Sequence, residues 1–256
     1  MACARCPRAA PARERASWPN RFDDPRPNAE NRYLVRYFAT TLRGGLLEAL
    51  AWLRPDEQAT QHLQVVAGAG GDKEPQLADA VADYLATRKV AMCTFPNEVL
   101  FVDIHAPEAL AVLDTNLNVE PLLTAPRGRV ALGEGNRRPH LDQAAVLLAS
   151  SFGRDVTRHC SLAIWDAEAL YSGIAYRSRH DLVEWCWAAF DRTAVEFADS
   201  AQLSPDVEDH FEAVGAVAEM WQLPIQGWGR PVTRRRGNSR SPMVRSAGVR
   251  HYSSLC

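Results

Sequence analysis

No stretch of this 256-residue chain stays apolar for the roughly 18 residues that a bilayer-spanning helix needs, so a membrane partner is not expected. Charge of one sign is missing as well. Lys and Arg total 29 against 31 Asp and Glu, a net −2, which gives no overall reason to expect nucleic acid. Cysteine is sparse: Cys3, Cys6, Cys93, Cys160, Cys186 and Cys256 follow no disulfide framework and read as reduced thiols of a cytoplasmic protein. The first residues lack the apolar core of a secretory signal, and Pro7, Pro11 and Pro19 interrupt any transit helix. Cys3 and Cys6 have CxxC spacing but no second pair, so no metal is expected. The Gly-rich run at 67–72 lacks the Lys-Ser/Thr of a phosphate-binding loop and reads as a loop.

What is present divides at residue 230. From there to 256 the chain carries seven arginines and no acid, without apolar periodicity, and reads as a disordered tail. Only this basic tail offers a contact for nucleic acid. Residues 17–229 read as the globular domain. Strands are expected at 33–39, 62–66, 90–95, 98–104, 161–164 and 185–190, and helices at 41–53, 76–87, 107–114, 140–152 and 205–220. Short strands with scattered helices and no regular βαβ repeat predict an α+β fold.

Several residues invite a chemical reading. The helix at 41–53 carries Leu42, Leu46, Leu47 and Leu50 and, among them, Glu48. Arg21 precedes it, with Arg32 and Arg36 as rivals and Asp23 and Asp24 as surface partners to weigh against a binding role. His159 and Cys160 are adjacent; on a strand they would point opposite ways, so Cys160 reads as buried and structural. The loop 133–140, with two arginines and His140 ahead of a helix, reads as a capping loop more readily than as a phosphate site. Trp165, Trp185, Trp187 and Trp221 are expected in the core.

Three patterns taken in order resemble the RES-domain family: "NRFDDP" with Arg21, "YFATTLRGGLLEAL" from Tyr37 to Glu48, and "GIAYRSRHD" with Ser178. The match spans about 17–195. The resemblance implies a mixed sheet with flanking helices, similar to ADP-ribosyltransferases. It also implies consumption of NAD by splitting the nicotinamide–ribose bond, with water or phosphate as acceptor. Family members are commonly toxins of bacterial toxin–antitoxin pairs, neutralised by a helix-turn-helix antitoxin. It would make Glu48 the carboxylate that stabilises an oxocarbenium-like transition state. Arg21 would hold the pyrophosphate or ribose, Tyr37 would pack on nicotinamide, Ser178 would bond ribose or phosphate, and Arg179 would support them. The alternatives are transfer of ADP-ribose to a macromolecule, or a catalytically silent module.

Overall fold

The computed structural model describes residues 20–27, 29–54, 73–133, 138–225, 227–228 and 251–253. Within them a seven-stranded sheet is formed by β1 (Val35–Ala39), β2 (Lys89–Thr94), β3 (Phe101–Asp103), β4 (Gly173–Arg177), β5 (Trp185–Phe190), β6 (Glu196–Gln202) and β7 (His251–Ser253). Their spatial order is β3-β4-β5-β1-β7-β2-β6. The β3–β4 pair is parallel and the other pairs are antiparallel. Among the described residues eight α-helices accompany it: α1 (Leu42–Leu50), α2 (Lys73–Ala86), α3 (Pro107–Asp114), α4 (Glu120–Thr124), α5 (Pro126–Leu132), α6 (Gln143–Leu147), α7 (Ser151–Trp165) and α8 (Glu208–Trp221). The fold is mixed α+β, as the irregular alternation of patterns suggests. Among the described residues no helix is long and apolar enough to cross a membrane.

Alternation along the strands sorts the core. Val35, Tyr37 and Ala39 of β1 and Cys186, Ala188 and Phe190 of β5 join the largest cluster, with α3, α6 and α7. Phe38 and Ala189, one step out of phase, face a smaller aromatic cluster with Cys93. A third cluster unites the leucines of α1 with Val81 and Leu85 of α2 and with Val214, Val217 and Trp221 of α8.

Three expectations need correction. Residues 161–164 are helical: they end α7, where Val156, Cys160, Ala163 and Ile164 recur at helical spacing and are buried. The helix expected at 140–152 is instead α6, an extended break, and the start of α7, whose N-cap Ser150 accepts from Gly153 N at 3.1 Å. The tail expected to be disordered contributes β7, seated between β1 and β2. The strand expected at 62–66 and the Gly-rich run at 67–72 lie outside the described residues.

Gly173 opens β4 where β5 passes close: an added Cβ would stand 2.2 Å from the Ala188 carbonyl oxygen and 2.9 Å from Ala189 Cα. Both of these neighbours are backbone of a paired strand and cannot swing away, and Phe101 Cε1 also stands 2.9 Å from the same point. Gly173→Ala is therefore expected to lower unfolding free energy by about 1–3 kcal/mol, the usual cost of overpacking. An unchanged urea midpoint would contradict it.

Candidate active site

The C-terminal ends of β1, β3 and β4 point the same way, since β1 and β4 both run antiparallel to β5 and β3 runs parallel to β4. The site gathers at that end. Thr41 caps α1 by accepting from Gly44 N at 2.9 Å, and its hydroxyl donates to Glu184 Oε2 at 2.7 Å. Arg43 bonds both Glu184 (2.9 Å) and Asp181 (2.7 Å). These contacts tie α1 to the turn joining β4 and β5. Gly44 permits the approach, because a Cβ there would meet Glu184 Oε2 at 2.9 Å.

At about 3.6 residues per turn, Glu48 falls on the side of α1 opposite Leu42, Leu46 and Leu50. The leucines bury against α2 and α8. Glu48, half-buried, turns toward the other core, where its charge is felt by Arg21, Tyr176 and Cys186. Ser178 Oγ donates to Glu48 Oε1 at 2.6 Å and accepts from His180 N at 3.2 Å. Ser178 itself is fully buried, with its backbone N bonded to Glu184 O at 2.9 Å. Two residues 130 positions apart thus meet in one short hydrogen bond to a charged group.

Arg21 is set by the loop around it. Arg158 of α7 reaches the carbonyls of Asp23 and Asp24 at 3.2 and 2.7 Å, and Ser161 donates to Phe22 O at 2.8 Å. Arg21 Nη2 donates to Val146 O at 2.6 Å, while Nη1 is buried without a partner. The guanidinium sits 5.2 Å from the Phe22 ring centroid and 5.6 Å from that of Tyr176. Burial lowers its pKa, an effect that the Glu48 charge opposes. It makes no pair with Asp23 or Asp24: Asp24 is bonded to Arg26, and Asp23 accepts from the Tyr37 hydroxyl at 2.9 Å. The rivals Arg32 and Arg36 are exposed, and Arg32 reaches only Asp24 O at 3.0 Å.

Tyr37 lies beside this group, but its hydroxyl is already engaged. It donates to Asp23 and accepts from Phe22 N at 3.1 Å, so it braces the Arg21 loop. Burial, with the Asp23 charge second, holds the phenol well above its ordinary pKa and therefore neutral. Arg179 follows Ser178 and contributes charge to Arg21 and His180.

Two imidazoles were not singled out by sequence. His105 follows β3, its backbone N bonded to Asp103 Oδ1 at 2.9 Å, and His180 packs edge-on against Trp221 at 5.3 Å. The Nε2 of each is buried without a partner. The available signal was position: His180 stands two residues past Ser178, and His105 directly follows the strand expected at 98–104. Elsewhere, Cys160 lies on α7, fully buried, with burial pushing its thiol up to about 12. Arg138 and His140 both bind Asp114 (3.2 and 3.1 Å), so that loop braces α3. Among the described residues no group of three His, Cys, Asp or Glu could hold a metal ion; Cys3 and Cys6 lie outside them.

Burial holds His105, His180 and His210 below the ordinary 6.5. The unfolded chain then binds more protons than the folded one as pH falls through 6.5. The contribution to stability is full above 6.5 and is lost as pH drops toward the folded values. The thermal midpoint is expected to be lower at pH 5 than at pH 7.5, and a flat profile over that interval would refute it.

The class so defined is a mixed α+β protein with a carboxylate and a serine hydroxyl past the ends of co-directional strands and a buried guanidinium within electrostatic reach of that carboxylate. No protein-family model matches the chain, and comparison with the curated proteins and with the solved structures finds no match.

Proposed function

We propose that this protein consumes NAD by breaking the bond between nicotinamide and ribose, as a RES-type enzyme with an ADP-ribosyltransferase-like arrangement of its sheet. The observation that carries the reading is the 2.6 Å hydrogen bond from Ser178 to Glu48, formed within electrostatic reach of Arg21. Those three residues come from the three sequence patterns that resemble that family, and the Ser178–Glu48 bond with the Glu48 charge felt at Arg21 supports the reading.

The chemistry asks little of an acid. When the C1′–N1 bond breaks, its electron pair goes to the ring nitrogen and nicotinamide departs neutral. Positive charge then collects on the ribose as an oxocarbenium ion. A carboxylate offers roughly four acceptor positions, and Ser178 fills one at Oε1. Glu48 is thereby oriented to stabilise the ribosyl cation and to accept from ribose hydroxyls. Arg21 supplies a fixed fork of N–H donors for the diphosphate, one of them unpartnered. Water or phosphate completes the reaction at C1′. By the same reading the protein is a cytoplasmic toxin restrained by a helix-turn-helix antitoxin.

The test is nicotinamide release from NAD by the purified chain. Turnover well above a Glu48→Ala control is expected, and no difference between the two sinks the proposal. Dependence on phosphate separates phosphorolysis from hydrolysis. Label from an NAD analogue appearing on protein or nucleic acid would instead favour transfer to a macromolecule.

A further inference from the structure

Buried side-chain nitrogens without a hydrogen-bond partner are rare in folded proteins, and each calls for a reason. Among the described residues four occur: Arg21 Nη1, Arg88 Nε, His105 Nε2 and His180 Nε2. Arg88 lies just past α2, with its guanidinium 4.1 Å over the Tyr84 ring. The other three belong to separate segments: the loop before β1, the turn after β3, and the turn between β4 and β5. β3 and β4 are parallel neighbours, so the two turns lie at one end of the sheet, and the Arg21 guanidinium lies 5.6 Å from the ring centroid of Tyr176, next to the last residue of β4. The Arg21 charge reaches both imidazoles, and burial together with that charge keeps the rings neutral near pH 7.

The charges facing these rings give the ligand its sign. His105 faces Asp103, Arg21 and Arg177; His180 faces Glu48, Arg179, Arg54 and Arg21. Four arginines stand against two carboxylates, so the surroundings favour an anion. A guanidinium and two neutral imidazoles in their Nε2–H form are all donors, which suits oxygen acceptors carrying negative charge.

We infer that Arg21, His105 and His180 form a cradle for an oxyanion, and that in the proposed reaction it takes a phosphate of the dinucleotide's diphosphate. The inference rests on NAD being the substrate, but its geometry requires only a phosphate-bearing ligand. His105 and His180 are then binding residues additional to Glu48 and Ser178. The three unpartnered nitrogens mark where the ligand's oxygens complete the site.

The experiment is calorimetric titration of the full chain with ADP-ribose, which keeps the diphosphate and lacks nicotinamide. His105→Phe and His180→Phe are each expected to weaken binding about tenfold or more. His105→Gln and His180→Gln, which retain an N–H donor, are expected to recover much of the loss and to guard against misfolding. The KM for NAD should rise in the Phe variants with kcat changing less. If wild type binds ADP-ribose through these histidines yet releases no nicotinamide, the cradle stands and the reaction fails. If NAD is cleaved and folded Phe variants match wild type in ADP-ribose affinity and KM, the reaction stands and the cradle fails. Wild type that binds no ADP-ribose overturns the cradle outright.

Discussion

Glu48→Gln is expected to reduce NAD turnover by about 10²–10³-fold, the cost usually seen when one pre-organised electrostatic group is removed from a transition state. The glutamine has the shape of the glutamate, and its amide oxygen can still accept from Ser178, whose hydroxyl now sits 2.6 Å from Oε1. What disappears is the negative charge opposite the developing oxocarbenium ion. Because that charge on the ribose is far larger in the transition state than in bound NAD, kcat should carry the loss and KM should move only a few-fold. The fold should survive, since Leu42, Leu46 and Leu50 of α1 pack on the opposite side of the helix from Glu48. A thermal midpoint within a few degrees of wild type, beside a collapsed kcat, is the expected pair of results. A variant retaining turnover within about threefold would remove Glu48 from the chemistry.

That residue was legible because it is an anomaly in a simple pattern: a carboxylate on a short helix whose leucines repeat at helical spacing. The sequence places it but cannot say what it faces. The answer depends on Ser178, 130 residues away, and on the network from Thr41 and Arg43 to Glu184 that holds α1 against the β4–β5 turn. A helix with a proline start was legible too: α3 spans Pro107–Asp114 as its pattern predicts. The short run 161–164 was not, because Leu162, Ala163 and Ile164 fit a strand or a buried helix equally well, and only their phase with Phe152 and Val156 decides. β6 escapes notice for a different reason. All seven of its residues are exposed, so no alternation marks it, and its existence follows from pairing with β2. β7 is likewise set by its neighbours, β1 and β2, and no periodicity of its own announces it.

Tyr37 shows the limit of assigning roles by residue type. An aromatic with a hydroxyl near the reacting ribose is a reasonable expectation, and the ring does lie in the shared core. Its hydroxyl, however, spans Asp23 and the Phe22 backbone, which makes it a brace for the loop that carries Arg21. Catalytic groups depend on such bracing, because a guanidinium displaced by an ångström loses its fixed direction of approach.

Arg21→Lys is expected to raise the KM for NAD by about 10–100-fold, equivalent to about 1.4–2.8 kcal/mol of binding. Charge is conserved in this change, and geometry is not. The guanidinium, 5.2 and 5.6 Å from the Phe22 and Tyr176 ring centroids, now uses Nη2 to hold the Val146 carbonyl at 2.6 Å and keeps Nη1, buried and without a partner, in the same plane. An ammonium ion is a single point on a shorter reach and cannot keep both directions at once. It is also more strongly hydrated, so the burial that already lowers the arginine's pKa weighs more heavily on it. If lysine stays with Val146, the phosphate loses its donor; if it turns to the phosphate, the Val146 carbonyl is left unsatisfied. Either way affinity should fall more than kcat, because the diphosphate is bound alike in the ground and transition states. A Lys variant with wild-type KM would show that Arg21 holds the loop and does not hold the substrate.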